Sequence, residues 1–146
     1  MVSKTSQERA GISDEEKKQR DIAREVETDL RLLVLYRDKA KNSKDRNLFF
    51  GLTFDNYRSL MTQPTCSYTG KLFQTVSQNA DYARTLERIN PKEGYTVENT
   101  IAVCHIANSQ KSSLDAFMKA TAIPEEMKLK LLRKAAYQIE KSLREK

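Results

Sequence analysis

The 146 residues include no tryptophan, and only 4 Gly, 3 Pro, 2 Cys and 1 His. So little glycine and proline argues against a turn-rich all-β protein. Two cysteines, Cys66 and Cys104, are too few for a disulfide scaffold and point to a reducing compartment. No apolar run approaches the ~18 residues of a membrane span. The polar start of the chain leads into no apolar stretch of the kind a secretory signal needs. Charge, in contrast, is plentiful in both signs. There are 26 Lys and Arg against 20 Asp and Glu, giving a net charge of +6. With 38% hydrophobic residues, a mean hydropathy of −0.70 and a pI near 9.3, a single domain with a modest core is expected. The basic balance favours an anionic partner. It is spread thinly: 12 basic against 10 acidic residues over 1–46, 7 against 6 over 47–120, and 7 against 4 over 121–146.

The pattern along the chain is mostly helical. Residues 1–12 read as a polar, frayed terminus. Ser13 with Glu16 forms a capping-box signature. Ile22, Ala23, Val26, Leu30, Leu33 and Val34 then share one helical face, and the polar stretch 41–45 is expected to stop that helix. Its first half is so charged that it should project or pair with another chain. Thr53 can cap a short helix through Met61, with Phe54, Tyr57 and Leu60 facing inward and Pro64 ending it. Cys66 to Gly70 reads as a turn.

The stretch 85–111 carries the most information. Residues 85–90 alternate as a strand, Asn90-Pro-Lys-Glu-Gly94 punctuates a turn, and Thr100 to Cys104 reads as a second strand. A helix is expected over about 105–111. Ser113 should cap another turn or two through Ala120. Pro124 fits the first position of a last helix, in which Met127, Leu131, Ala135, Ile139 and Leu143 recur every four residues.

This strand–turn–strand–helix unit places polar groups where a metal site could form. Glu87 lies on the first strand, Asn99 before the second, and Asn108 and Lys111 on the helix. Glu and Asn supply the hard oxygen ligands that Mg²⁺ prefers, and such a metal stabilises charge during phosphodiester cleavage. Each residue also has a structural alternative. Glu87 fits a solvated strand position, Asn99 a turn, Asn108 a helix surface, and Arg88 and Lys111 plain surface charges. Cys66 and Cys104 fit buried small residues lying close together. Tyr95 fits a core aromatic, while Tyr82 and Tyr95 could both approach the site.

The run Leu86-Glu-Arg-Ile-Asn-Pro-Lys-Glu-Gly94-Tyr-Thr-Val-Glu-Asn99-Thr-Ile-Ala-Val-Cys104-His-Ile-Ala-Asn108-Ser-Gln-Lys111 resembles phage-type HNH endonucleases, including endonuclease VII-like members. Their pattern runs Leu-Asp-Arg-Ile-Asp, Gly-Tyr-Thr, Asn-Val-Val and Cys-x-x-Cys-Asn-x-x-Lys. Leu52-Thr-Phe-Asp55 and Cys66-Ser-Tyr-Thr-Gly70 extend the resemblance to about residues 50–120. It implies an α+β fold, mostly helical: a small ββα-metal core over 47–120, a polar terminus and long helix over 1–46, and a C-terminal helix over 121–146. It implies that Glu87 and Asn108 hold Mg²⁺ or Mn²⁺, and that Asn99 fixes the loop. Arg88 falls where many relatives carry the general-base histidine. His105, the sole histidine, is three residues before Asn108 and could replace that base. Arg88 and Lys111 would contact phosphate. Thr69 and Ala107 stand where relatives carry the second cysteine of each zinc-binding pair, so no structural zinc is expected.

Two functions follow from the resemblance. One is a phage DNA-binding protein with Mg²⁺-dependent endonuclease activity. The other is a catalytically inactive module of the same fold that binds and inhibits or redirects a host protein. A helical subunit for DNA packaging is a third reading. The cytoplasm of an infected bacterium is the setting each implies, with no membrane partner.

Overall fold

The computed structural model describes residues 11–146, and the chain is α+β and 61% helical with a two-stranded antiparallel sheet. Most of the polar terminus expected over 1–12 lies outside the described residues. The elements are α1 (Asp14–Asp45), α2 (Phe54–Thr62), α3 (Val76–Asn79), β1 (Arg84–Arg88), β2 (Thr100–Cys104), α4 (His105–Lys119) and α5 (Glu125–Arg144), with a single 3₁₀ turn at Ala80–Tyr82. No helix among the described residues is long and apolar enough to cross a membrane.

Local chemistry sets the helix ends. The Ser13 hydroxyl accepts from the Glu16 amide, and the Glu16 carboxylate accepts from the Ser13 amide in return. α1 ends at Asp45, the last residue of the stretch expected to stop it, with Arg46 as its cap. Just beyond, Asn47 adopts a left-handed backbone with φ of 54°. The Leu48 amide there reaches the Ser43 carbonyl and the Asn47 amide the Lys44 carbonyl, closing off the last turn. Thr53 caps α2 as expected, with Asn56 completing the box. Helix α4 is continuous where a break was expected at Ser113. That hydroxyl bonds the Ser109 carbonyl four residues back instead of capping a new helix. Pro124 takes the extended cap position, so α5 begins one residue later than expected. The expected strand 85–90 runs over Arg84–Arg88 instead, because Asn90 already belongs to the turn.

The chain divides into two compact units. One comprises the chain up to Pro64 together with Arg88–Ala102. Its centre is aromatic. The Tyr36 ring meets Phe50, Phe54 and Tyr57 at 5.5, 5.7 and 5.5 Å between centroids, and its hydroxyl donates to the Leu52 carbonyl at 2.7 Å. A one-residue parallel bridge joins Phe50 to Tyr95. Glycine is required at 94, because a Cβ there would overlap the Phe49 carbonyl. Residues 14–24 of α1 are exposed throughout.

The second unit comprises Thr65–Glu87 and Val103–Lys146. Cys66, Val103 and Cys104 are its most deeply buried residues. The turn after Cys66 closes through the Gly70 amide on the Cys66 carbonyl, and Gly70 supplies the left-handed φ of 71° that this turn needs. α3 was not expected, although Thr75 and Gln78 form another capping box.

Candidate functional site

In the second unit, β1 and α4 bring three of the sequence-selected groups, Glu87, Asn108 and Lys111, into one small area. Thr85 and Glu87 are two apart on β1 and so share a face. Asn108, Lys111 and Asp115 follow one another at three- and four-residue spacing on α4, which places them on one stripe. The Asn108 side-chain amide donates to the Thr85 hydroxyl at 3.2 Å, and that hydroxyl donates on to the Val103 carbonyl at 3.1 Å. The Lys111 ammonium sits between two carboxylates. It lies 3.3 Å from Glu87 Oε1, and 2.8 and 2.9 Å from the two oxygens of Asp115. The three side chains retain only 15%, 12% and 19% of their exposure, in the order Lys111, Glu87, Asp115.

The electrostatics follow from that packing. Burial pushes the Lys111 ammonium down, but Asp115 and Glu87 outweigh it and hold it above its ordinary value. Lys111 is therefore charged throughout the neutral range. Burial raises the nearby Tyr68 phenol, and the charges of Glu87 and Asp115 add to that rise against the opposing effect of Lys111. Beside the trio, Tyr68, Thr69, Ile106, Gln110 and Leu114 line a shallow, open groove.

The Glu87 carboxylate, expected to hold a divalent cation, is paired with Lys111. Such an ion needs free oxygen ligands, and an ammonium already stands against the Glu87 carboxylate. Asn108, its amide nitrogen bonded to Thr85, can offer an ion only its single uncharged oxygen. His105, at the first position of α4, is exposed, and its backbone amide donates to the Ala83 carbonyl at 2.9 Å. Among the described residues no three His, Cys, Asp or Glu side chains cluster as metal ligands.

The two cysteines are adjacent. Cys66 Sγ accepts from the Cys104 amide at 3.2 Å and from the Thr69 amide at 3.5 Å. Burial pushes the Cys66 thiol up, but the hydrogen bonds from Thr69, Cys104 and Tyr68 prevail and lower it to about 7.

In the first unit, Arg88 and Asn99 act on the same turn. Arg88 Nη1 donates to the Pro91 carbonyl at 2.8 Å and the Glu93 carbonyl at 2.9 Å. Asn99 is 4% exposed. Its Nδ2 donates to the Asn90 and Gly94 carbonyls at 3.0 and 2.9 Å, while its Oδ1 accepts from the Asn90 amide at 2.8 Å. Asn99 thus ties the two ends of the 90–94 turn together. Tyr95 is buried, as a core aromatic should be.

Sequence reasoning missed Asp115. The signal was present: Asp115 lies four residues after Lys111, the spacing at which opposite charges meet on a helix. No protein-family model, curated protein or solved structure matches this chain.

Proposed function

We propose that this chain is a DNA-binding protein with an HNH-like ββα core that acts by binding and not by cutting. The observation that carries this reading is the Lys111 ammonium lodged between Glu87 and Asp115. In an HNH-type nuclease, the residue at position 87 would hold the metal. Here a covalently attached cation satisfies that carboxylate and ties α4 to β1. Arg88, at the position of the usual base, carries a guanidinium, which has no acceptor for a proton. It is also committed to two turn carbonyls. The net charge of +6 supports a polyanionic partner.

The test is purified protein with supercoiled, branched and single-stranded DNA, each in Mg²⁺, Mn²⁺ or EDTA. Retarded but uncut DNA in all three conditions is the expected result. EDTA-sensitive cleavage that Glu87→Ala abolishes would overturn the reading in favour of the endonuclease.

A second reading is favoured by one feature of α1. Val26, Leu30 and Val34 are 53%, 59% and 48% exposed at four-residue spacing, an apolar stripe suited to a helix of a protein partner. Analytical ultracentrifugation of the protein alone and retrieval of a partner that Leu30→Glu no longer binds would support it.

A further inference from the structure

The first unit holds three cations around one buried phenol. The Lys39 ammonium lies 4.5 Å from the centre of the Tyr95 ring, and the Arg88 guanidinium lies 5.5 Å from it. Arg46, the cap residue at the end of α1, is close enough to act on the same hydroxyl. Among the described residues none of the three cations forms an ion pair with a carboxylate, whereas other cations of this unit do. Arg31 pairs with Glu27, Arg37 with Asp38, and Arg58 with Glu25 and Asp29. The acids next to them in sequence are Asp38, which is taken by Arg37; Asp45, beside Arg46; and Glu87, which is taken by Lys111, while Glu93 across the turn accepts from Asn90.

The field these groups create is visible on Tyr95. Burial pushes its phenol up, yet Lys39, Arg88 and Arg46 together hold it below its ordinary value. Like charges gathered without a counter-ion repel one another. The aromatic face offsets part of that through its negative quadrupole. Lys39 also hydrogen-bonds the Tyr95 hydroxyl. Lys39 is partly exposed and Arg46 exposed. Arg88 spends Nη1 on the turn and retains its other donors.

We infer that Lys39, Arg46 and Arg88, gathered around Tyr95, form a binding site for the phosphodiester backbone of nucleic acid. Phosphate oxygens supply the missing negative charge. The end of α1, the last residue of β1 and Tyr95 position the cations, so the site is preorganised before DNA arrives. The inference rests on the DNA-binding reading and adds the surface that makes the contact. It needs nothing from the Glu87–Lys111–Asp115 trio.

The experiment is fluorescence anisotropy of the full chain with a labelled DNA duplex, at several salt concentrations. The variants are Lys39→Gln and Arg46→Gln, with Lys18→Gln on the exposed start of α1 as a charge-matched control. Circular dichroism checks that each is folded, and either site variant alone suffices. Each site variant is expected to reduce the magnitude of the log–log salt slope by about 0.9 and weaken binding several-fold at low salt. Lys18→Gln should leave the slope unchanged. A parent that binds with site variants of unaltered slope would overturn this inference while leaving DNA binding intact. Equal losses in all three variants would mean that net charge alone acts, and would also overturn it. A parent that fails to bind duplex at low salt would overturn both readings. Competition separates the sources of negative charge. Inorganic phosphate at matched ionic strength, and polyglutamate, should displace the duplex far less well than unlabelled DNA. Displacement by millimolar phosphate would indicate a free-anion site, and equal displacement by polyglutamate an acidic-protein surface; either result would overturn the assignment.

Discussion

Replacing Lys111 by methionine removes an ammonium and keeps most of the side-chain volume. At 3.3 Å from Glu87 and 2.8 Å from Asp115, each contact has a gross Coulomb attraction of about 5–6 kcal/mol at an effective dielectric of ~20. Desolvation of three mostly buried charges takes back most of that. What remains after Lys111→Met is a pair of carboxylates with no cation between them. An exposed ion pair contributes about 0.2–1 kcal/mol and breaking a fully buried one costs about 3–5 kcal/mol. With 12–19% of side-chain exposure left, the loss should be about 2–4 kcal/mol. Lys111 has its folded value raised, so its contribution is fully present below its unfolded value and disappears only as pH rises through the folded one. Measurement at pH 7 lies inside that window. Urea denaturation of Lys111→Met, Glu87→Gln and the double variant forms a cycle. The double variant should be more stable than the sum of the single losses by about 1–2 kcal/mol, because removing Glu87 relieves the repulsion that Lys111→Met exposes. Single-variant losses that add to within about 0.5 kcal/mol would refute the argument.

Three other outcomes are expected. Asn99→Ala removes three hydrogen bonds from the 90–94 turn and should cost about 2–4 kcal/mol in thermal or urea unfolding. Arg88→Ala should cost about 1–3 kcal/mol and speed amide exchange over residues 90–94, since the Pro91 and Glu93 carbonyls lose a charged donor. The Cys66 thiol is lowered from 9.0 to about 7. A lowered value means that the stabilisation is complete above about pH 9, shrinks as pH falls and is gone below about pH 7. It amounts to about 2–3 kcal/mol. Unfolding measured from pH 6 to 9.5 should show this rise in the parent protein and not in Cys66→Ala.

Much of the helical framework was readable before any fold was known. Ser13 with Glu16, and Thr53 at the start of α2, announce helix starts because a cap bonds amides only two or three residues away. Thr75 with Gln78 carried the same signal and was passed over. Two strands on either side of a Pro- and Gly-marked turn were readable too, the first from its alternation, and Asn99 as a residue of the loop before the second. Helix ends were legible in part: the stretch 41–45 holds the end of α1. Not legible were the left-handed step at Asn47 just beyond it and the continuity of α4, which depends on where the Ser113 hydroxyl turns. Each choice lies between two nearly equal hydrogen-bonding options.

The candidate sites divide along the same line. Sequence by itself determined which residues share a face: Thr85 with Glu87 by strand period, and Asn108, Lys111 and Asp115 by helix period. It could not determine that Lys111 meets a carboxylate 24 residues earlier in the chain, because that contact exists only once α4 lies against β1. Nor could it gather Lys39, Arg46 and Arg88 around Tyr95. Those residues come from separate stretches of chain, and only folding brings Lys39 and Arg88 to the Tyr95 ring and lets Arg46 act on its hydroxyl. Hydrogen bonds and periodicity act over a few residues and are written locally. Charge pairing and desolvation depend on distance in space, so tertiary structure decided which lysine is spent inside the protein and which cations remain available to a partner.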